Sequence, residues 1–128
     1  MPSPSPLEKR IKRRVIAREQ EFFAVAPPGI ESLTRGELAA LGLGRGAPAV
    51  ETGGATFSGP LHDGYKANLC LRTATRVLMR IDAFKATDFT SLEKHWNRIP
   101  WEFYLPPDAT PQLRVSCRKS RLYHSDAV

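Results

Sequence analysis

The sequence is poor in the residues that build metal sites. It has two cysteines, Cys70 and Cys117, far apart and each in an apolar or strand-like context. Their spacing offers no zinc site, so both are read as reduced core or strand residues. Histidine is nearly as scarce, and His62, His95 and His124 have no mutual spacing for a metal. No apolar run approaches the roughly 20 residues that cross a bilayer. The start, "MPSPSPLEKRIKRRVIAREQ", lacks the apolar stretch of a secretory signal. A cytoplasmic location without a membrane partner is therefore expected. Acids are also outnumbered, with 13 Asp and Glu against 19 Lys and Arg and a net charge of +6. That sign of charge suits an acidic partner such as a phosphate backbone. What remains is ordinary for a globular chain, since 41% hydrophobic and 25% charged residues exclude wholesale disorder.

Residues 1–20 read as a basic, flexible leader. The alternating prolines of "MPSPSP" remove donors and fix φ, which disfavours helix and sheet alike. Leu7, Ile11 and Val15 then form a thin apolar stripe at i, i+4, i+8 amid Lys9, Arg10, Lys12, Arg13 and Arg14. Both a solvated tail and an extra RNA-contacting arm fit that pattern.

Order is expected from "EFFAVAPPG", whose short apolar run suits a strand covered on both faces. "GIESLTRGELAALGLG" places Ile30, Leu33, Leu38 and Leu41 on one helical face, and Gly42 is a natural stop. "PAVETGGATFSG" reads as a hairpin with Gly53-Gly54 supplying positive φ. "LHDGYKANLCLRTATR" is a second helix with Leu61, Tyr65 and Leu69 on one side, and Arg72 and Arg76 are expected to brace the passage that follows it. "RVLMRIDAFKA" alternates as a half-buried strand, Val77, Met79 and Ile81 facing one way. The order β-α-β-β-α-β is the split βαβ, or ferredoxin-like, arrangement, with both helices on one face of a four-stranded sheet.

A second block begins at "DFTSLEKHWNRIPWEFYLPP", where Thr90 and Glu93 are spaced as a capping box. Leu92, His95, Trp96 and Ile99 lie at helical spacing, and Trp96 and Trp101 suit core or interdomain packing. "QLRVSCR" alternates Leu113, Val115 and Cys117 against Arg114, Ser116 and Arg118, a strand with one apolar and one basic face. Nothing in the remaining residues covers that apolar face, so the chain is expected to stop inside this second domain.

From residue 21 onward the sequence resembles the amino-terminal part of THUMP-containing RNA methyltransferases, chiefly bacterial large-subunit rRNA guanine-N2 methyltransferases and their archaeal tRNA relatives. "GIESLTRGEL" is similar to that family's first helix, "GGATFSG" to its hairpin, and "NLCLRTATRVLMRI" to its helix-to-strand passage. "IPWEFYLPPDATPQLRVSCRKSRLYHSDAV" resembles the segment that opens a THUMP fold. The resemblance implies an α+β chain: a leader over 1–20, a ferredoxin-like βαββαβ domain over 21–87, and the truncated start of a THUMP domain over 88–128. It further implies a missing carboxy-terminal methyltransferase domain that uses S-adenosylmethionine. The Asn/Asp-Pro-Pro-aromatic motif by which the family holds its target amine does not occur here. Nor is a cofactor site expected in "GLGRG": Gly42, Gly44 and Gly46 mimic a nucleotide loop, but that loop follows a strand and opens a helix.

The chemistry left to these residues is recognition of structured RNA, ribosomal or transfer. Arg114, Arg118, Lys119 and Arg121 suit phosphates, and Tyr123 and His124 suit stacking or contact with bases and 2′-hydroxyls. Ser125-Asp126 reads as a helix start that adds backbone N–H groups. Lys94 and Arg98, four apart on one helix, are further candidates. The same cations also suit an exposed strand edge kept soluble. No catalytic residue is assigned to this chain, and whether it is an enzyme is left open. An acylphosphatase would carry an arginine after the first strand, where "APPGIES" has none. A protein-docking or interdomain module, using the uncovered sheet face and touching no RNA, is the alternative.

Overall fold

The structure, a computed structural model, describes residues 2–122. The chain divides between Ile81 and Asp82 into two compact units. The first is built on a four-stranded antiparallel sheet of β1 (Gln20–Val25), β2 (Ala49–Glu51), β3 (Gly54–Gly59) and β4 (Arg76–Arg80), in the order β2-β3-β1-β4. A leader helix, α1 (Pro6–Ile11), precedes it; α2 (Glu31–Ala40) joins β1 to β2 and α3 (Leu61–Cys70) joins β3 to β4. This is the ferredoxin-like βαββαβ arrangement.

Strand alternation sorts the sheet into two faces. Phe22 and Ala24 of β1 stand beside Phe57 and Ala55 of β3 and beside Met79 and Val77 of β4. The residues of β1 and β3 form one buried cluster with Leu38 of α2 and Ala67 of α3, and Val77 and Met79 pack half-buried against it. The Phe22 and Phe57 rings stack with centroids 5.1 Å apart. Both helices therefore cover the same face.

Which helical residues turn inward differs from the expected pattern. On α3 the buried positions are Gly64 and Ala67, while Tyr65 is 61% and Leu69 86% exposed. Close approach explains the choice, because a Cβ on Gly64 would stand 2.5 Å from the Phe22 ring. On α2, Leu33 is 61% exposed and Thr34 is fully buried beside Leu38. Thr34 can go inside because its hydroxyl meets the Thr73 hydroxyl at 2.8 Å.

The turns follow glycine chemistry. Gly42 (φ +67) ends α2, with Gly42 N–H donating to the Ala39 carbonyl and Leu43 N–H to that of Leu38. These are the two bonds of a Schellman stop, and Leu43 and Leu38 are both buried beneath it. In the hairpin only Gly53 has positive φ, at +88. Gly54 lies inside β3 instead, where a Cβ would meet the Ala24 carbonyl oxygen at 2.0 Å.

The leader is helical where a flexible tail was expected. Pro6 occupies the first turn of α1, where its missing N–H is no loss. Ser5 caps the helix: its hydroxyl accepts the Glu8 N–H, and the Glu8 carboxylate accepts the Ser5 N–H. A π-helical turn, Lys12–Ile16, continues it and packs against α3. Val15 is buried at 4% exposure, and Gln20 Nε2 donates to its carbonyl at 2.9 Å.

In the second unit, α4 (Phe89–Arg98) is capped by Asp88, whose carboxylate accepts the Ser91 N–H at 2.7 Å. The expected cap, Thr90, lies within the first turn. Trp101 begins a 3-10 turn, Trp101–Phe103; its ring meets that of Trp96 at 4.5 Å, and its Nε1–H donates to the Trp96 carbonyl at 3.1 Å. Phe84 stacks on His95 at 4.7 Å. The expected strand at "QLRVSCR" does not form: residues 112–118 join no ladder, and Leu113 and Val115 are exposed. Alternation alone provides no partner for a strand's N–H and C=O groups. Cys70 also departs from its expected place, lying exposed at the end of α3, while Cys117 is half-buried.

Candidate nucleic-acid interface

The basic residues singled out from sequence fall on two supports in the second unit. Lys94 and Arg98 are both exposed on α4, one helical turn apart. Arg114, Arg118, Lys119 and Arg121 are all exposed on the irregular segment that follows the turns. Lys119 adopts a left-handed backbone (φ +47), and the Ser120 hydroxyl accepts the Leu122 N–H at 3.1 Å. That local turn breaks the extended run, so Arg118, Lys119 and Arg121 are gathered by sequence adjacency and not by a sheet. Tyr123, His124 and the Ser125-Asp126 helix start lie outside the described residues. Exposed guanidinium and ammonium groups on an irregular segment are able to follow a phosphate backbone, whose contacts position without reading sequence.

In the first unit two other arrangements emerge. The sheet face turned away from the helices holds a groove of about 530 Å³ whose lining includes Phe23, Thr56, Ser58, Leu78 and Arg80. Leu78 is 45% exposed there. Cations near this face have acidic partners: Arg80 pairs with Glu21 at 2.9 Å and Arg45 with Glu19 at 3.9 Å.

The second arrangement is the α3–β4 joint, where bracing was expected from the Arg72 and Arg76 side chains. The brace is Glu37 of α2. Its carboxylate accepts the Arg72 N–H at 3.0 Å, the Thr73 N–H at 2.9 Å and the Thr73 hydroxyl at 2.5 Å. The Thr73 hydroxyl chiefly, then the two backbone donors and the Arg72 charge, hold the Glu37 carboxyl below its ordinary pKa. Arg76 is exposed. Glu31 is also lowered, chiefly by its own N–H and then by Gly29, whose N–H donates to it at 2.8 Å.

The residues do not fit a nucleotide cofactor at "GLGRG". A helix precedes that loop and a strand follows it. A Cβ at Gly44 would lie 3.4 Å from the Phe57 Cβ, so the loop folds onto its own sheet instead of opening a phosphate cradle. Among the described residues no cluster of His, Cys, Asp and Glu is arranged to hold a metal, and no helix is long and apolar enough to cross a membrane.

Comparison with known proteins adds to this geometry. Residues 21–78 match the family described as the RlmL ferredoxin-like domain. The chain is 39% identical over 106 residues to the ribosomal RNA large subunit methyltransferase K/L of Syntrophotalea carbinolica, an alignment covering 82% of this chain and 14% of that protein. Among solved structures it is similar to a "predicted N6-adenine-specific DNA methylase" from Listeria monocytogenes, with a TM-score of 0.76 and 37% identity. That match covers 86% of this chain and 28% of the other. The structure of SMU.472 complexed with SAH is similar to the same degree, with a TM-score of 0.76 and 32% identity over 86% of this chain and 29% of that one. The chain thus spans about a seventh of the curated relative and over a quarter of each solved one.

Proposed function

We propose, from the premise that residues 21–78 belong to the RlmL ferredoxin-like domain family, that this chain is the RNA-binding and substrate-positioning amino-terminal region of an RNA guanine-N2 methyltransferase. The observation that carries the reading is that match, joined in the same chain by exposed cations at Arg114, Arg118, Lys119 and Arg121. Lys94 and Arg98 add charge on α4, and residues 88–128 are the beginning of a THUMP domain. Structured RNA, ribosomal or transfer, is the partner, gripped by shape and phosphates while a target base is turned out elsewhere in the whole protein. S-adenosylmethionine is the methyl donor of that whole protein. The loop of Gly42, Gly44 and Gly46 does not open a cradle for it, and no residue is assigned a chemical step.

Fluorescence anisotropy of a labelled hairpin RNA tests this directly. Affinity is expected to fall with salt by about 0.7 to 0.9 in logarithmic slope for each phosphate engaged. The pair Arg118→Glu with Lys119→Glu should weaken binding at least about tenfold, since each pair of opposed charges lost removes counterion release, while leaving the circular dichroism unchanged. Equal affinity at low and high salt would sink the reading. Duplex DNA is the competitor that separates RNA from DNA preference, because the 2′-hydroxyl distinguishes the two. The half-exposed Leu78 in the groove beside Phe23 supports a second reading, a docking module. On that reading a partner domain protects the groove and RNA is not bound.

A further inference from the structure

We infer that the leader helix is a second RNA-phosphate contact, a basic arm seated on the ferredoxin-like domain; the inference rests on the RNA-binding reading above and extends it to residues outside the family match. The match begins at residue 21, so nothing in it assigns residues 6–16. Three observations carry the arm. The segment is a capped helix followed by a π-helical turn, and it is held at its far end by buried Val15, by packing on α3 and by the Gln20 bond to the Val15 carbonyl. Seating one face fixes where the others point. Lys9, Lys12, Arg13 and Arg14 are all exposed. The leader's one acid before Arg18 is Glu8, and its carboxylate accepts the Ser5 N–H in the capping box. Among the described residues, none of those four cations is paired with a carboxylate.

The arrangement favours a polyanion in solution over a membrane surface. An interfacial helix inserts a broad apolar face. Here the stripe is thin, and one of its three members, Val15, is already buried within the unit. Four closely spaced cations on a seated helix match instead the closely spaced phosphates of a folded RNA. Preorganisation strengthens the case, since an arm already helical loses less conformational entropy on binding than a disordered tail does.

The test uses the whole 128-residue chain with Lys9, Lys12, Arg13 and Arg14 all changed to Gln, which keeps helix propensity and removes charge. Anisotropy with the hairpin RNA is expected to show a salt slope shallower by about 2 to 3 and affinity at least about tenfold lower near 0.1 M salt, as loss of most of four counterion releases requires. Exchanging each Lys for Arg and each Arg for Lys should restore wild-type binding. If the fourfold variant loses its circular dichroism signal, the milder pair Lys12→Gln with Arg13→Gln takes its place, with an expected slope change of about 1 to 2. Unchanged slope and affinity, with binding still weakened by Arg118→Glu and Lys119→Glu, would overturn the arm and leave the RNA reading standing. Failure of the unaltered chain to bind RNA would remove both. Co-sedimentation with vesicles of phosphatidylcholine and phosphatidylserine provides the membrane arm. Vesicle binding that the fourfold change abolishes, with RNA affinity untouched, would overturn the inference in favour of a lipid surface.

Discussion

Glu37 holds together the joint between α3 and β4, and its energetics follow from what it accepts. Removing its carboxylate leaves the N–H groups of Arg72 and Thr73 and the Thr73 hydroxyl to water, which Glu37→Ala should convert into about 0.5 to 1.5 kcal/mol of lost stability. The folded carboxyl lies below its ordinary value of 4.5. Its contribution is therefore fully present above about that pH and is lost as pH falls through the folded value. Thermal melts between pH 6 and pH 3 (a window of roughly the usual carboxylate range) should show a shallower acid decline in Glu37→Gln than in the wild type. Parallel declines would show that Glu37 does not drive the acid response. Nothing in the residues around Glu37 along the chain reveals its acceptor role. The donors lie 35 and 36 positions away, at Arg72 and Thr73. Only the packing of α2 beside the joint brings them into reach.

Among the elements, the leader shows how local chemistry and packing divide the work. Ser5, Pro6 and Glu8 form a local helix start that the run of prolines obscures, whereas the stripe of Leu7, Ile11 and Val15 is legible. The alternating prolines argue for disorder only as far as Pro4, because Pro at the first helical position is favourable. Val15→Ala should cost about 1.5 kcal/mol of docking, at roughly 0.8 kcal/mol for each buried methylene equivalent. Hydrogen exchange should then quicken over residues 6–16 while amides of β1 and β3 keep their protection. Equal loss of protection across the sheet would mean that the leader is integral to the unit. The third helix makes the opposite point. Its large residues Tyr65 and Leu69 suggested an inward face, yet Gly64 and Ala67 took it, because a helix lying against the Phe22 ring has room only for small side chains. Alternation at "QLRVSCR" likewise described a strand's side chains without providing the neighbour that would make it one.

At the scale of the molecule, the division after Ile81 has an optical consequence. Both tryptophans of the chain, Trp96 and Trp101, lie in the second unit. Tryptophan fluorescence therefore reports that unit alone, whereas most of the regular secondary structure belongs to the first. Urea unfolding followed by fluorescence and by far-UV circular dichroism should give transitions that do not coincide, with the fluorescence change at lower urea, since the second unit lacks a sheet among its described residues. Superimposable curves would mean that the two units unfold as one cooperative system.

Element order, the turns at Gly42 and Gly53, and the sign and crowding of charge were legible along the chain, because each depends on neighbours within a few positions. The βαββαβ order and its two helices on one face followed from them. Which residues fill the core, why Gly54 must be glycine, and what Glu37 accepts were decided only when β1 met β3 and α3 settled on Phe22. Steric room and hydrogen-bond partners at those places come from residues distant in sequence, and a pattern of neighbours carries no information about distances across the fold.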